Sequence, residues 1–279
     1  MKDFWIGTGW KMNKTATEAR DYIATLLPLL PRMPEDAAAF VVPPFTALSA
    51  VRETLGTTRS ILIGAQNMHW EEEGSFTGEI SARMLKDAGV DMVELGHSER
   101  RQHFGETDEA INRKVRSALA HGLTPLICVG DSAAERDAGA SAEAIIRQIR
   151  MAFFGLTAPE IGRCLIAYEP IWAIGDTGVP AEPEHVVVVH RRVKAMLVEL
   201  SDHKVPLLYG GSVNAGNIRS LAGVSEIDGL FIGRAAWQAT EFARLIAAAL
   251  SARANRREPK SRSVLPDEAS GCRVNDGIE

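Results

Sequence analysis

Cysteine is scarce in this chain, with three among 279 residues: Cys128, Cys164 and Cys272. They lie far apart, without a CxxC pair or a histidine at ligand spacing, so neither a disulfide framework nor a metal site is indicated. The expected compartment is a reducing cytoplasm. No apolar run approaches the eighteen or so residues of a membrane span, and the opening Met1-Lys2-Asp3-Phe4-Trp5-Ile6 lacks the basic start and apolar stretch of a signal peptide. An excess of positive charge is missing as well. The 31 Lys and Arg stand against 36 Asp and Glu, a formal net charge of -5, which argues against nucleic acid or an anionic membrane as the main partner. An anionic substrate would then need a local positive field. Finally, no GxGxxG follows the first apolar run, which counts against a dinucleotide-binding sheet.

What the chain does have is a strand–helix rhythm. Short apolar runs at 4–6, 38–42, 60–66, 91–96, 123–129, 163–169, 205–209 and 228–232 read as strands, the first breaking into a Gly7-Thr8-Gly9 turn. Helical patterns at 17–30, 48–55, 81–88, 106–121, 142–154, 184–200, 217–221 and 239–254 lie between and after them, the fourth capped by Thr107 and ended by Gly122. Eight such alternations at roughly thirty-residue spacing are the signature of a single closed (β/α)8 barrel of about 250 residues, with an open doubly wound sheet as the alternative. The α/β barrel domain is expected over 1–254. From 255 to 279 the chain is polar, lacks aromatic residues and shows no periodicity, so it reads as a disordered tail.

One stretch organises the rest: Ala167-Tyr168-Glu169-Pro170-Ile171-Trp172-Ala173-Ile174-Gly175. Pro170 fixes φ and removes a backbone donor, so the strand must stop at Glu169 and leave its carboxylate on a strand's carboxyl end. The apolar loop behind it, bounded by Gly175 and Gly178, reads as a cover that closes over something small. In a barrel the carboxyl ends of all strands meet on one rim, which gathers Lys11, His97, Glu169, Gly210-Gly211-Ser212 and Gly233-Arg234 whatever their separation. Taken singly, Lys11 could be a surface lysine, His97 a helix cap and Glu169 half of an ion pair. Together they make a proton-transfer set: Glu169 as base on a carbon next to a carbonyl, neutral His97 polarising that carbonyl, and Lys11 neutralising an enediolate. No metal or cofactor is required for this chemistry. Gly210, Gly211, Ser212 and Gly233 offer backbone N–H groups to a phosphate, with a further donor from Gly175. Cys128, in an apolar strand without an adjacent histidine, reads as an inert packing thiol.

These motifs carry a resemblance. Gly9-Trp10-Lys11-Met12-Asn13, Ala65-Gln66-Asn67, Phe76-Thr77-Gly78-Glu79-Ile80, Glu94-Leu95-Gly96-His97-Ser98-Glu99-Arg100-Arg101, the Glu169 stretch, Tyr209-Gly210-Gly211-Ser212-Val213 and Asp228-Gly229 all look, in order, like triosephosphate isomerase, over about residues 4–250. The resemblance implies a TIM barrel with Lys11 as electrophile, His97 as neutral acid and Glu169 as base. It also implies a homodimer in which the loop 67–79, opened by Asn67 and closed by Glu79, enters the neighbouring subunit. A neutral catalytic histidine and a closing loop are known properties of triosephosphate isomerase, so these roles come with the resemblance.

Two departures touch the substrate pocket. The family has asparagine where this chain has Gly9, which empties space beside the lysine, and it has Gly-Gly where this chain has Gly233-Arg234, which adds charge and bulk at the phosphate end. The loop over residues 176–180 also differs from the family's hinge. Gly7-Thr8-Gly9-Trp10-Lys11-Met12-Asn13-Lys14 with Phe231-Ile232-Gly233-Arg234-Ala235-Ala236-Trp237 is similar to a sister branch, the L-erythrulose-1-phosphate isomerases of erythritol catabolism. That similarity implies a tetrulose phosphate substrate. The alternatives are plain triosephosphate isomerase and an inactive barrel that binds a phosphorylated ligand.

Overall fold

A computed structural model describes residues 1–175 and 178–257. Its strands are β1 (Phe4–Gly9), β2 (Ala37–Val42), β3 (Ile61–Ala65), β4 (Met92–Leu95), β5 (Thr124–Val129), β6 (Leu165–Tyr168), β7 (Leu207–Tyr209) and β8 (Gly229–Ile232). They pair in parallel in chain order and close into a barrel where β8 meets β1. The (β/α)8 expectation therefore holds, and the open sheet is excluded.

Alternation along each strand divides the apolar residues into two cores. Trp5, Phe40, Met92, Leu126, Cys128, Leu165, Ala167, Leu208 and Phe231 fill the barrel interior, with Phe40 and Phe231 stacked at 5.6 Å between centroids. Their neighbours, such as Ile6, Val93, Ile127, Ile166 and Leu230, face the outer helices and form the larger core. Two residues beyond an interior position lies another: Glu94 follows Met92, and Glu169 follows Ala167. Both are buried.

Several local expectations need correction. Gly7, Thr8 and Gly9 are strand and not turn, with Gly9 opposite Val42. A Cβ on Gly7 would sit 2.2 Å from the Phe40 ring, so glycine here makes room for the aromatic of its register partner on β2. The first helix is Ala16–Leu26 and tightens into a 3-10 turn over Leu27–Leu29, because Pro28 lacks the N–H and crowds the preceding turn. Three short helices escaped the periodicity reading: Ser98–Phe104, Ala133–Asp137 and Ala158–Ile161. At one or two turns each, they are too short to establish a period. The closing helix runs from Ala239 to Arg257, three residues into the stretch expected to be irregular. The remainder of that tail, 258–279, lies outside the described residues, as do Asp176 and Thr177 of the expected hinge.

Candidate active site

A cavity of about 620 Å³ opens on the carboxyl rim. All of Gly9, Lys11, His97, Glu169, Gly175, Gly210, Gly211, Ser212, Gly233 and Arg234 line it. All but Gly175, which the loop after β6 carries in, lie at or just beyond a strand end.

Lys11 follows β1, held at a φ of 52°, a left-handed conformation costing a side-chain-bearing residue ~1–3 kcal/mol. The Gln66 side-chain amide donates to the Lys11 carbonyl at 2.8 Å and to the Val42 carbonyl at 3.1 Å, and Asn13 donates to the Trp10 carbonyl. These contacts hold the strained turn. The ammonium donates to Glu99 Oε1 at 2.6 Å. Burial works against the Glu99 carboxylate, but the Lys11 hydrogen bond and the charges of His97 and Lys11 outweigh it, leaving Glu99 below its ordinary range.

His97 is the N-cap of the helix Ser98–Phe104, so the helix-cap reading and the site reading are the same fact. Its Nδ1 accepts the Glu99 backbone N–H at 3.2 Å. That bond assigns the ring as the neutral tautomer with the proton on Nε2, and the helix terminus behind it disfavours a cation. Burial also disfavours the imidazolium. The carboxylates of Glu169 and Glu94 pull the other way, and with both ionised the balance lies upward. Because Glu94 itself holds its proton up to about pH 7, that pull weakens as the pH falls. Nε2 points at Glu169 Oε1, 3.7 Å away.

Glu169 is 2% exposed and its Oε2 has no hydrogen-bond partner among the described residues. Backbone surrounds it closely: a Cβ on Gly130 would lie 2.1 Å from its carbonyl oxygen, and one on Gly210 2.9 Å from its Cγ. Behind it, Ile171–Ala173 form a 3-10 turn, Ile174 is extended and Gly175 takes a φ of 85°. Trp172 Nε1 donates to Asp131 Oδ2 at 3.1 Å, while Tyr168 and Ser141 donate to the same carboxylate. The loop is thus anchored at its root. Gly178 passes 2.6 Å from the Ala173 carbonyl carbon, measured from where its Cβ would be, so no side chain fits there.

At the other end of the cavity, Gly211 lies against Tyr209, whose hydroxyl would be 2.2 Å from an added Cβ. Gly233, by contrast, has nothing within 4 Å of that position, so it leaves open space on the cavity side. Arg234 opens a 3-10 turn after β8 and is exposed. Together these groups line the end where phosphate was expected.

Sequence reasoning missed Glu94, Phe231 and Trp237 as lining residues. Glu94 is 6% exposed, and burial pushes its carboxyl up to about 7. Among the described residues its Oε1 receives only the Cys128 thiol, at 3.7 Å. Burial likewise pushes that thiol well above its ordinary range, with the Glu169 and Glu94 charges adding to the effect, in keeping with an inert cysteine. The signal in the sequence was a carboxylate inside the four-residue apolar strand Met92–Leu95, at an inward position. The space left by Gly9 is also less empty than expected: a Cβ there would meet the Phe231 ring at 3.1 Å and Glu94 Oε2 at 3.9 Å.

A closed parallel barrel with this rim is the framework of a barrel isomerase working on small phosphorylated sugars. The family profile described as "Triosephosphate isomerase" matches residues 4–249, and the chain belongs to that family. Among curated proteins it is similar to an "L-erythrulose-1-phosphate isomerase" from Mesorhizobium japonicum, 47% identical over 89% of this chain and 98% of the relative. Proteins of the same name from Brucella abortus and Mycolicibacterium smegmatis are also 47% identical, over 88% and 87% of this chain and 96% and 91% of theirs.

Proposed function

We propose that this protein interconverts L-erythrulose 1-phosphate and D-erythrulose 4-phosphate, as a cytoplasmic homodimer serving erythritol catabolism. The observation that carries the reaction is one cavity in which the Glu169 carboxylate and the His97 Nε2–H face each other at 3.7 Å, with the Lys11 ammonium on the same rim. The substrate rests on the relatives' names and on Gly9, where the triose-specific pattern has a side chain.

Glu169 takes the proton from C3 of the tetrulose. The C3–H electron pair forms the C2–C3 double bond and the carbonyl pair moves onto O2, giving an enediolate. Lys11 offsets this charge, and the Nε2–H of His97 bonds O2 and carries the O3 proton across to it. Glu169 then returns its proton to C2, leaving the carbonyl at C3. Only one base is needed, because C2 and C3 present the same face of the planar intermediate to one carboxylate. The phosphate sits on the backbone N–H groups of Gly211, Ser212 and Gly233, with Gly175 and Arg234 at its edge and Gly210 giving close approach to Glu169.

For the dimer, support comes from exposed apolar residues on the loops after β1 and β3: Met12 is 96% exposed and Phe76, on the loop 67–79, 43%. Such side chains on a protruding loop are suited to a partner surface.

Steady-state kcat/KM on L-erythrulose 1-phosphate and on dihydroxyacetone phosphate tests the reading. The tetrulose is expected to be preferred by roughly ten- to two-hundred-fold, the usual worth of one fitted group; a triose preference would overturn the substrate. Glu169→Gln is expected to lower kcat by several orders of magnitude while phosphate-ligand binding changes little, and unaltered turnover would remove Glu169 as the base.

A further inference from the structure

Glu94 has no part in the proton transfers above, yet it lies against the reacting centre. It projects inward from β4, buried at 6% exposure, and lines the cavity with Gly9, Phe231 and Glu169. An oxygen of Glu94 and one of Glu169 lie within 4.8 Å of each other. Its Oε2 receives no hydrogen bond from a described residue, and its Oε1 has only a weak thiol donor. A carboxyl group taken out of water without good donors is costly, and the charges of His97 and Lys11 with the Cys128 thiol offset that cost only in part. Lys11, the nearby cation, is engaged by Glu99 instead.

The geometry points to Glu94 as the specificity residue that hydrogen-bonds the terminal hydroxymethyl group of the tetrulose, on the cavity wall it shares with Gly9 and Phe231. The inference rests on the tetrulose reading given above and deepens it. With the phosphate held beyond β7 and β8, the substrate chain runs from there across Glu169 towards β4 and β1. The carbon that Glu169 deprotonates carries the hydroxymethyl group as its outer substituent. A group so placed, one bond from a carbon touching Glu169, falls beside the Glu94 carboxylate, since the two carboxylates are less than two hydrogen-bond lengths apart. Gly9 leaves this part of the wall to the Phe231 ring and Glu94. A side chain there would meet the Phe231 ring first and Glu94 next. A triose phosphate has hydrogen in place of this substituent and leaves Glu94 without its partner. A buried polar group left unpaired by the smaller substrate discriminates more strongly than an apolar pocket would.

Glu94→Leu and Glu94→Gln, assayed on both substrates, test this. The ratio of kcat/KM for L-erythrulose 1-phosphate to that for dihydroxyacetone phosphate is expected to fall at least tenfold in Glu94→Leu, mostly through KM for the tetrulose, and less in Glu94→Gln, whose amide still bonds a hydroxyl. Binding of 2-phosphoglycolate, which has a phosphate but no hydroxymethyl group, checks that each variant retains a folded pocket. A parallel fall on both substrates, or an unaltered ratio in a variant that still binds 2-phosphoglycolate, would overturn the role. Wild-type preference for the triose would instead overturn the substrate reading, so the two failures are distinguishable.

Discussion

Glu94 also makes the residue-scale argument about stability. An exposed carboxyl titrates near 4.5, whereas in the folded protein burial pushes this one up to about 7. Between those values the folded state holds a proton that the unfolded chain has lost, so stability falls as pH rises through that window and stays at the lower level above it. Glu94→Gln removes the effect. The variant is expected to be more stable than wild type by about 3 kcal/mol at pH 8, with the gain gone near pH 4.5; melting curves at the two pH values check this. An equal gain at both would mean that packing and not charge sets the difference. A residue that lowers stability where the enzyme works is a candidate for function, because a site tolerates strain that a core does not. Lys11 makes the same point in its backbone, with a positive φ held by contacts from Gln66 and Asn13.

At the scale of elements, the site depends on how the loops after β3 and β4 are tied together. Lys114, on the helix Asp108–Ala120, is buried with its ammonium on Glu106 and on Asn67 Oδ1. Glu106 lies 3.4 Å from the Arg100 guanidinium of the His97 helix. One buried cluster therefore joins the root of the loop 67–79 to the helix that carries His97. Lys114→Met leaves Glu106 buried with only the longer Arg100 contact and is expected to cost about 3–5 kcal/mol, read by denaturant unfolding; a loss under about 1 kcal/mol would show that the cluster is dispensable. The Glu169 loop depends on Asp131 in the same manner, since that carboxylate receives Trp172, Tyr168 and Ser141.

For the whole molecule, the predicted dimer bears on the chemistry. Gln66, which clamps the Lys11 carbonyl, is the residue before Asn67, where the protruding loop begins. Phe76→Glu is expected to shift sedimentation towards the monomer and to lower kcat with it, because a loop without its partner holds Gln66, and so Lys11, less firmly. A monomer of undiminished kcat would separate assembly from catalysis. The closing helix is secured within one subunit, where buried Arg253 makes two hydrogen bonds to Asp36 before β2.

Local chemistry in the chain was enough to determine the rhythm of strands and helices, the stop at Pro170 and the rim position of Lys11, His97 and Glu169, because a parallel barrel sends every strand end to one face. The glycines after the last two strands pointed to the phosphate end, and all of them line the cavity with Gly175. What the chain order could not express was which side chains meet across the barrel. Gly9 looked like an empty place and Glu94 like part of a motif, since residues 85 apart acquire a relation only when β1 and β4 curve round to face one another. Closure of the sheet put Phe231 and Glu94 against the place that Gly9 leaves without a side chain, and so made it a cavity wall that carries a carboxylate.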